Sequence, residues 1–245
     1  MSEVPSIIFI VPYRDRELQQ GLFRRQMSYV LESHKSYEIF FVHQKDMRTF
    51  NRGAMKNIGF LTMKNKYPDH YKKMTFVFND IDTMPYSKDT FQYETFKGTI
   101  KHFYGFKYAL GGIVSINGED FESMGGFPNY WSWGYEDNEL QRRALSLNII
   151  IDRNIFYPIM DGNIIHLQDG FLREINKGEK KRFLMKQNPQ KDGFNDIHNL
   201  EYCIEDDTVN VTKFNTSFLE NPDLKIKHDL RRELGVRKSK IPLRF

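Results

Sequence analysis

One short apolar run and two strand-like stretches after it, each leading into a stretch of different periodicity, constrain this chain more than any other feature. Ile7-Ile8-Phe9-Ile10-Val11 is apolar at every position and stops at Pro12. A run of that kind predicts a strand buried on both faces, because a half-exposed strand would alternate. Leu18, Leu22, Met27 and Val30 then recur at roughly helical intervals. Residues 37–42 read as a second strand, 52–63 as a helix with Met55, Ile58 and Thr62 on one face, and 74–78 as a third strand. Strand–helix alternation implies βαβ units. The expected fold is α/β and Rossmann-like, with a mixed, mostly parallel sheet flanked by helices.

The middle of the chain is less regular. Residues 110–116 read as a strand beginning at a glycine pair, 121–124 as a short helical piece, and 149–151 and 164–167 as further strands. Residues 136–147 have helical propensity, with Leu140, Ala144 and Leu147 facing inward. The polar, basic stretch 170–193 is expected to be mobile, and 202–214 to form a hairpin turning at Asp206-Asp207. With no internal repeat and no linker, the expectation is one domain over residues 1–218 and a basic C-terminal extension over 219–245.

Composition removes several function classes. Hydrophobic residues make up 40% and aromatics 15%, too many for a disordered chain. Of the net charge of +4, residues 225–244 alone supply +6, leaving −2 for the rest. A nearly neutral body argues against a nucleic-acid groove. No apolar run approaches the roughly 20 residues that span a bilayer, so no transmembrane segment is expected. A single cysteine, Cys203, allows no internal disulfide. That suits a reducing compartment, and the absence of a signal-like start favours a cytoplasmic location, microbial or viral in a host cytoplasm.

Asp80-Ile81-Asp82 is the sharpest local feature. Two carboxylates two residues apart on an extended chain point the same way. They follow an apolar strand, where ligands bind in open α/β sheets. Hard divalent cations take such oxygen ligands and bridge them to a diphosphate. Pro12-Tyr13-Arg14-Asp15-Arg16 follows the first strand, where Arg14 and Arg16 suit phosphate and Tyr13 suits stacking on a base. Phe50-Asn51-Arg52-Gly53 opens a helix, with Asn51 as its N-cap. The segment 125–137 holds both tryptophans, Trp131 and Trp133, among glycines and ahead of Glu136 and Asp137. Favourable acids at a helix start explain the last two, but not two tryptophans in a glycine-rich loop, which suits a sugar-binding loop that closes. His166 ends a strand and becomes a metal ligand only if Asp82 is its spatial neighbour.

Taken in order, these segments, together with Asn57-Ile58-Gly59-Phe60, Phe78-Asn79-Asp80-Ile81-Asp82-Thr83-Met84-Pro85 and Gly111-Gly112, resemble the β-1,4-galactosyltransferases, glycosyltransferase family 7. The resemblance covers about residues 6 to 170 and continues weakly to about 215. It implies a GT-A fold, a UDP-sugar donor, a carbohydrate acceptor, Mn²⁺ and an inverting single displacement. By position, Pro12, Tyr13, Arg14, Arg16, Phe50 and Arg52 would bind UDP. Asp80, Ile81 and Gly112 would lie against the nucleotide-sugar, and Trp133 would cover it. Asp82 and His166 would hold the metal, and Glu136 and Asp137 would bind the acceptor, with Asp137 as base. Two departures carry consequences. Asn163 occupies the place of a methionine metal ligand. Ala109 replaces a tyrosine that crowds the sugar's C2 substituent, which predicts room for an N-acetyl group. Two alternatives remain open at this level. One is a catalytically silent sugar-binding protein of the same fold. The other is a metal-dependent nucleotidyltransferase or phosphohydrolase built on Asp80 and Asp82.

Overall fold

The computed structural model describes residues 4–168, 170–185 and 191–232. Its elements run β1 Ile7–Tyr13, α1 Glu17–Val30, β2 Tyr37–Gln44, α2 Arg52–Lys66, β3 Thr75–Asn79, β4 Thr83–Pro85, β5 Thr99–Gly105 and β6 Ile113–Asn117. They continue with α3 Gly118–Ser123, α4 Glu136–Ser146, β7 Ile150–Asp152, β8 Tyr157–Pro158, β9 Ile164–His166, β10 Leu172–Asn176, α5 Lys177–Leu184, β11 His198–Glu205, β12 Thr208–Asn215 and β13 Lys225–Asp229.

One sheet of nine strands organises the molecule, in the order β11-β12-β2-β1-β3-β6-β5-β7 with β8 beside β5. Five pairings are parallel (β12–β2, β2–β1, β1–β3, β5–β7 and β5–β8), as the strand–helix alternation predicts. The pairings β11–β12, β3–β6 and β5–β6 are antiparallel. Both faces are covered, which explains the unbroken apolar run. Ile8 and Ile10 of β1 pack with Ile58 and Phe60 of α2, while Ile7, Phe9 and Val11 pack with Phe23 and Met27 of α1. Each such side chain contributes about 1.5–3 kcal/mol by leaving water.

Several local expectations need correction. On α1 the inward face is Phe23, Met27 and Val30, while Leu18 is 88% exposed, because the sheet lies on the other side of the helix. On α4, Leu140 and Ala144 are buried but Leu147 lies beyond the last turn and is exposed. The stretch expected to be mobile carries β10 and α5 over its described part. The hairpin forms as predicted from β11 and β12. Residues 219–232, set apart in the sequence as an extension, return to the body through the β10–β13 ladder and a Lys225–Glu174 ion pair at 3.4 Å. The extension from residue 233 onward lies outside the described residues.

Candidate active site

Strand order reverses between β1 and β3, and the chain segments leaving their carboxyl ends line one cleft of about 1000 Å³. This is where open α/β sheets bind ligands, because neighbouring connections diverge there. After β3 the chain turns through Asp80-Ile81-Asp82 and enters β4, which pairs antiparallel with β9. The register sets Thr83 opposite His166, and the Leu167 N–H donates to the Asp82 carbonyl at 2.8 Å. Asp82 and His166, 84 positions apart in the chain, therefore stand side by side in space. His166 Nδ1 sits 2.9 Å from the hydroxyl of buried Tyr104, which fixes the ring's orientation. Burial and then the Asp80 carboxylate push the Asp82 carboxyl above its ordinary range, against the pull of His166 and Arg52.

The opposite wall comes from α2 and α4. Asn51 caps α2 by accepting from the Ala54 N–H at 2.9 Å. Gly53 lets this helix reach the tryptophan loop, since a Cβ there would lie 2.0 Å from the Pro128 carbonyl oxygen. One turn apart on α2, Arg52 and Lys56 face three carboxylates on the facing segments. Arg52 reaches Glu136 at 3.3 Å and Asp80 at 4.0 Å, and Lys56 reaches Asp137 at 3.1 Å and Asp80 at 3.7 Å. Burial works against the charge on both cations, but the surrounding carboxylates outweigh it and hold both above their ordinary values. Burial raises the Asp137 carboxyl to about 7 against the opposing Lys56, with Glu136 and Asp80 adding to the rise. The side chain still opens 22% of its surface to the cleft, so screening by water tempers that rise.

Most residues singled out in the sequence meet here. Pro12, Tyr13, Arg14, Arg16, Phe50 and Arg52 line the cleft. Asp80, Ile81, Asp82, Gly112 and His166 line it too, as do Trp133 and Asp137. Three side chains lie elsewhere. Glu136 does not line the cleft; it is 4% exposed and its carboxylate is taken by Arg52 and by the Gly134 N–H at 3.1 Å. Asn163 does not line it either, because its exposed amide turns to Asp161 at 2.9 Å. From that loop Met160 lines the cleft instead. Of the two tryptophans only Trp133 borders the cleft; Trp131 is 1% exposed, stacked on Phe214 in the core. Sequence reasoning missed Lys56 altogether. Its signal was position: a lysine four residues after Arg52 falls on the same helix face.

Two family models match along the chain. Residues 3–95 fit the N-terminal region of glycosyl transferase group 7, and residues 92–166 fit the N-terminal domain of galactosyltransferase. The chain belongs to glycosyltransferase group 7. Within the group, it is 26% identical over 210 residues to the xylosylprotein 4-beta-galactosyltransferase of Caenorhabditis elegans, covering 80% of this chain and 70% of the nematode protein. It is 28% identical over 151 residues to human beta-1,4-galactosyltransferase 4, covering 56% of this chain and 42% of the human one. The chain thus spans less than half the length of its mammalian relatives in the group. The catalytic domain of Drosophila beta-1,4-galactosyltransferase 7, solved with xylobiose, superposes with a TM-score of 0.65 at 20% identity, over 88% of this chain and 96% of that one. A mutant of the same fly protein, solved with manganese, UDP-Gal and xylobiose, superposes equally well. At that identity the likeness is one of fold, and the fold is the GT-A type expected from the group 7 resemblance.

The residues present fit a divalent ion of the kind the group 7 resemblance implies. One carboxylate (Asp82) and one oriented imidazole (His166) adjoin in the cleft. The buried Asp80 Oδ1 beside them accepts no hydrogen bond. Among the described residues no group of three His, Cys, Asp or Glu gathers around one point. Two protein donors leave open positions for phosphate oxygens, as suits an ion shared with a nucleotide. No helix among the described residues is long and apolar enough to cross a membrane.

Proposed function

We propose that this chain is an inverting, metal-dependent hexosyltransferase that moves galactose, or its N-acetylamino relative, from UDP to a carbohydrate hydroxyl. The observation that supports it is one cleft lined by the Asp82–His166 pair and by the Asp137 carboxylate. The fly protein's crystals with manganese, UDP-Gal and xylobiose support the same donor and an oligosaccharide acceptor.

Tyr13, Arg14, Arg16 and Phe50 line the cleft and suit UDP, where guanidinium groups meet phosphate and aromatic rings meet the base. Asp82 and His166 would hold Mn²⁺, which would supply positive charge to offset that of the diphosphate. Trp133 borders the same space from a loop fixed by its own N–H, which donates to the Glu174 carbonyl at 2.9 Å. Phe106 and Tyr108, stacked at 5.1 Å, give the rim an aromatic platform for an acceptor ring. Asp137 takes the proton of the attacking hydroxyl as the new bond forms on the face opposite UDP.

UDP release is measured with UDP-galactose and UDP-GalNAc, Mn²⁺ and an array of sugar acceptors including xylosides. Asp137→Asn is expected to bind UDP as the wild type does and to lose transfer by about 1000-fold. Full transfer by that variant, or release of UMP in place of UDP, removes the reading.

A further inference from the structure

Lys56 is 1% exposed, and its ammonium lies against three groups among the described residues. They are Asp137 Oδ1 at 3.1 Å, Asp80 Oδ1 at 3.7 Å and the face of the Phe127 ring, centroid at 4.6 Å. Lysine is almost never fully buried without paired charge. The packing of α2 asks for no lysine here, since Met55, Ile58 and Phe60 around it fill the core with hydrocarbon. What this ammonium adds is a positive charge between the turn after β3 and the carboxylate proposed as the base.

We propose that Lys56 is a positioning residue for sugar transfer: its ammonium holds the Asp137 carboxylate ionised and in place, and ties it to Asp80 across the cleft wall. The inference rests on the reading of Asp137 as the base.

The charges around Asp137 show why such a group is needed. Glu136 faces it from its own helix, Asp80 from the turn after β3, and Lys56 and Arg52 from α2. The Gly111 turn packs directly against the carboxylate and brings no charge. Take Lys56 away, and burial and both neighbouring carboxylates favour the protonated acid, which accepts no proton. Arg52 is no substitute, because it is engaged by Glu136 at 3.3 Å. Asp80 Oδ1, buried without a hydrogen bond, has the same ammonium at 3.7 Å and the Arg52 guanidinium at 4.0 Å as its compensation. The arrangement also balances after the reaction. As the acceptor oxygen bonds to the anomeric carbon and the bond to UDP breaks, the hydroxyl proton passes to Asp137. The acid becomes neutral, and Lys56 remains paired with Asp80.

The test compares the full-length wild type with Lys56→Met, Lys56→Gln and Lys56→Arg. The first measurement needs no turnover: infrared titration of the protonated-carboxyl band assigned to Asp137 by its absence in Asp137→Asn. In the wild type we expect this band to grow as pH falls through about 7. In Lys56→Met and Lys56→Gln its midpoint moves up by about one unit or more, and Lys56→Arg restores it. The second measurement is the pH profile of UDP release with UDP-galactose and Mn²⁺. For Lys56→Met we expect kcat about 10- to 100-fold lower at neutral pH, KM for UDP-galactose within about threefold, and partial recovery at alkaline pH. If Lys56→Met fails to fold, Lys56→Gln, whose amide keeps a donor toward Asp137, decides by the same midpoint. An unchanged midpoint in a folded, uncharged variant overturns the assignment. A shifted midpoint in a protein that transfers no sugar leaves Lys56's hold on Asp137 standing and removes the proposed function instead.

Discussion

Gly111→Ala tests the placement of the base with the smallest change available. A Cβ at Gly111 would lie 2.2 Å from Asp137 Oδ2, 2.7 Å from its Cγ and 3.2 Å from its Cβ. Ordinary contact begins near 3.4 Å, so the carboxylate must retreat by about 1 Å. Gly111 does not occupy the left-handed region, and alanine meets no backbone penalty there. The Leu110 N–H still donates to the Asp137 carbonyl at 2.9 Å, so the helix start stays anchored while the side chain is displaced. Misplacing a reacting group by 1 Å costs about 100-fold, equivalent to about 2.7 kcal/mol of barrier. The assay is the initial rate of UDP release at saturating UDP-galactose and acceptor, beside calorimetry of UDP binding. We expect kcat to fall about 100-fold with UDP affinity within about threefold. A folded Gly111→Ala protein whose kcat stays within threefold of wild type would show that the Asp137 carboxylate does not act from this position.

Three further outcomes follow from the same geometry. Asp82→Ala should weaken Mn²⁺-dependent UDP binding by about 10- to 100-fold in calorimetry, whereas Asn163→Ala, whose amide serves Asp161, should change it less than about twofold; equal losses would return Asn163 to the metal site. Ala109, 7% exposed at the cleft wall, should admit the N-acetyl group of UDP-GalNAc, and Ala109→Tyr should cut use of that donor by about tenfold or more relative to UDP-galactose; equal donor ratios in both proteins would refute it. Gly53→Ala should lower Tm by roughly 5 °C, because the clash with the Pro128 carbonyl oxygen outweighs the roughly 1 kcal/mol by which alanine favours a helix; a higher Tm would contradict the packing of α2 on the tryptophan loop.

The sequence by itself determined the elements and their rough order. The run apolar at every position predicted a strand covered on both faces, and β1 is so covered. The Asp206-Asp207 turn, the helix starting at Glu136 and the acidic pair at the end of β3 were equally legible. Each is a local pattern, and backbone conformation follows from local sterics, capping and periodicity. Only the tertiary structure decided which ambivalent side chains face the cleft. Trp131 and Trp133 are two residues apart in one loop, yet one fills the core against Phe214 and the other borders the cleft. Glu136 and Asp137 are adjacent, yet Arg52 draws the first into the wall while the second opens on the cleft. Asn163 turns to Asp161 and Met160 takes the cleft side, and a lysine on α2 proves to be buried among carboxylates. The physical reason is common to all of them. A tryptophan, glutamate or lysine has no fixed preference for inside or outside until a partner from a distant segment supplies the contact or the opposite charge that settles it.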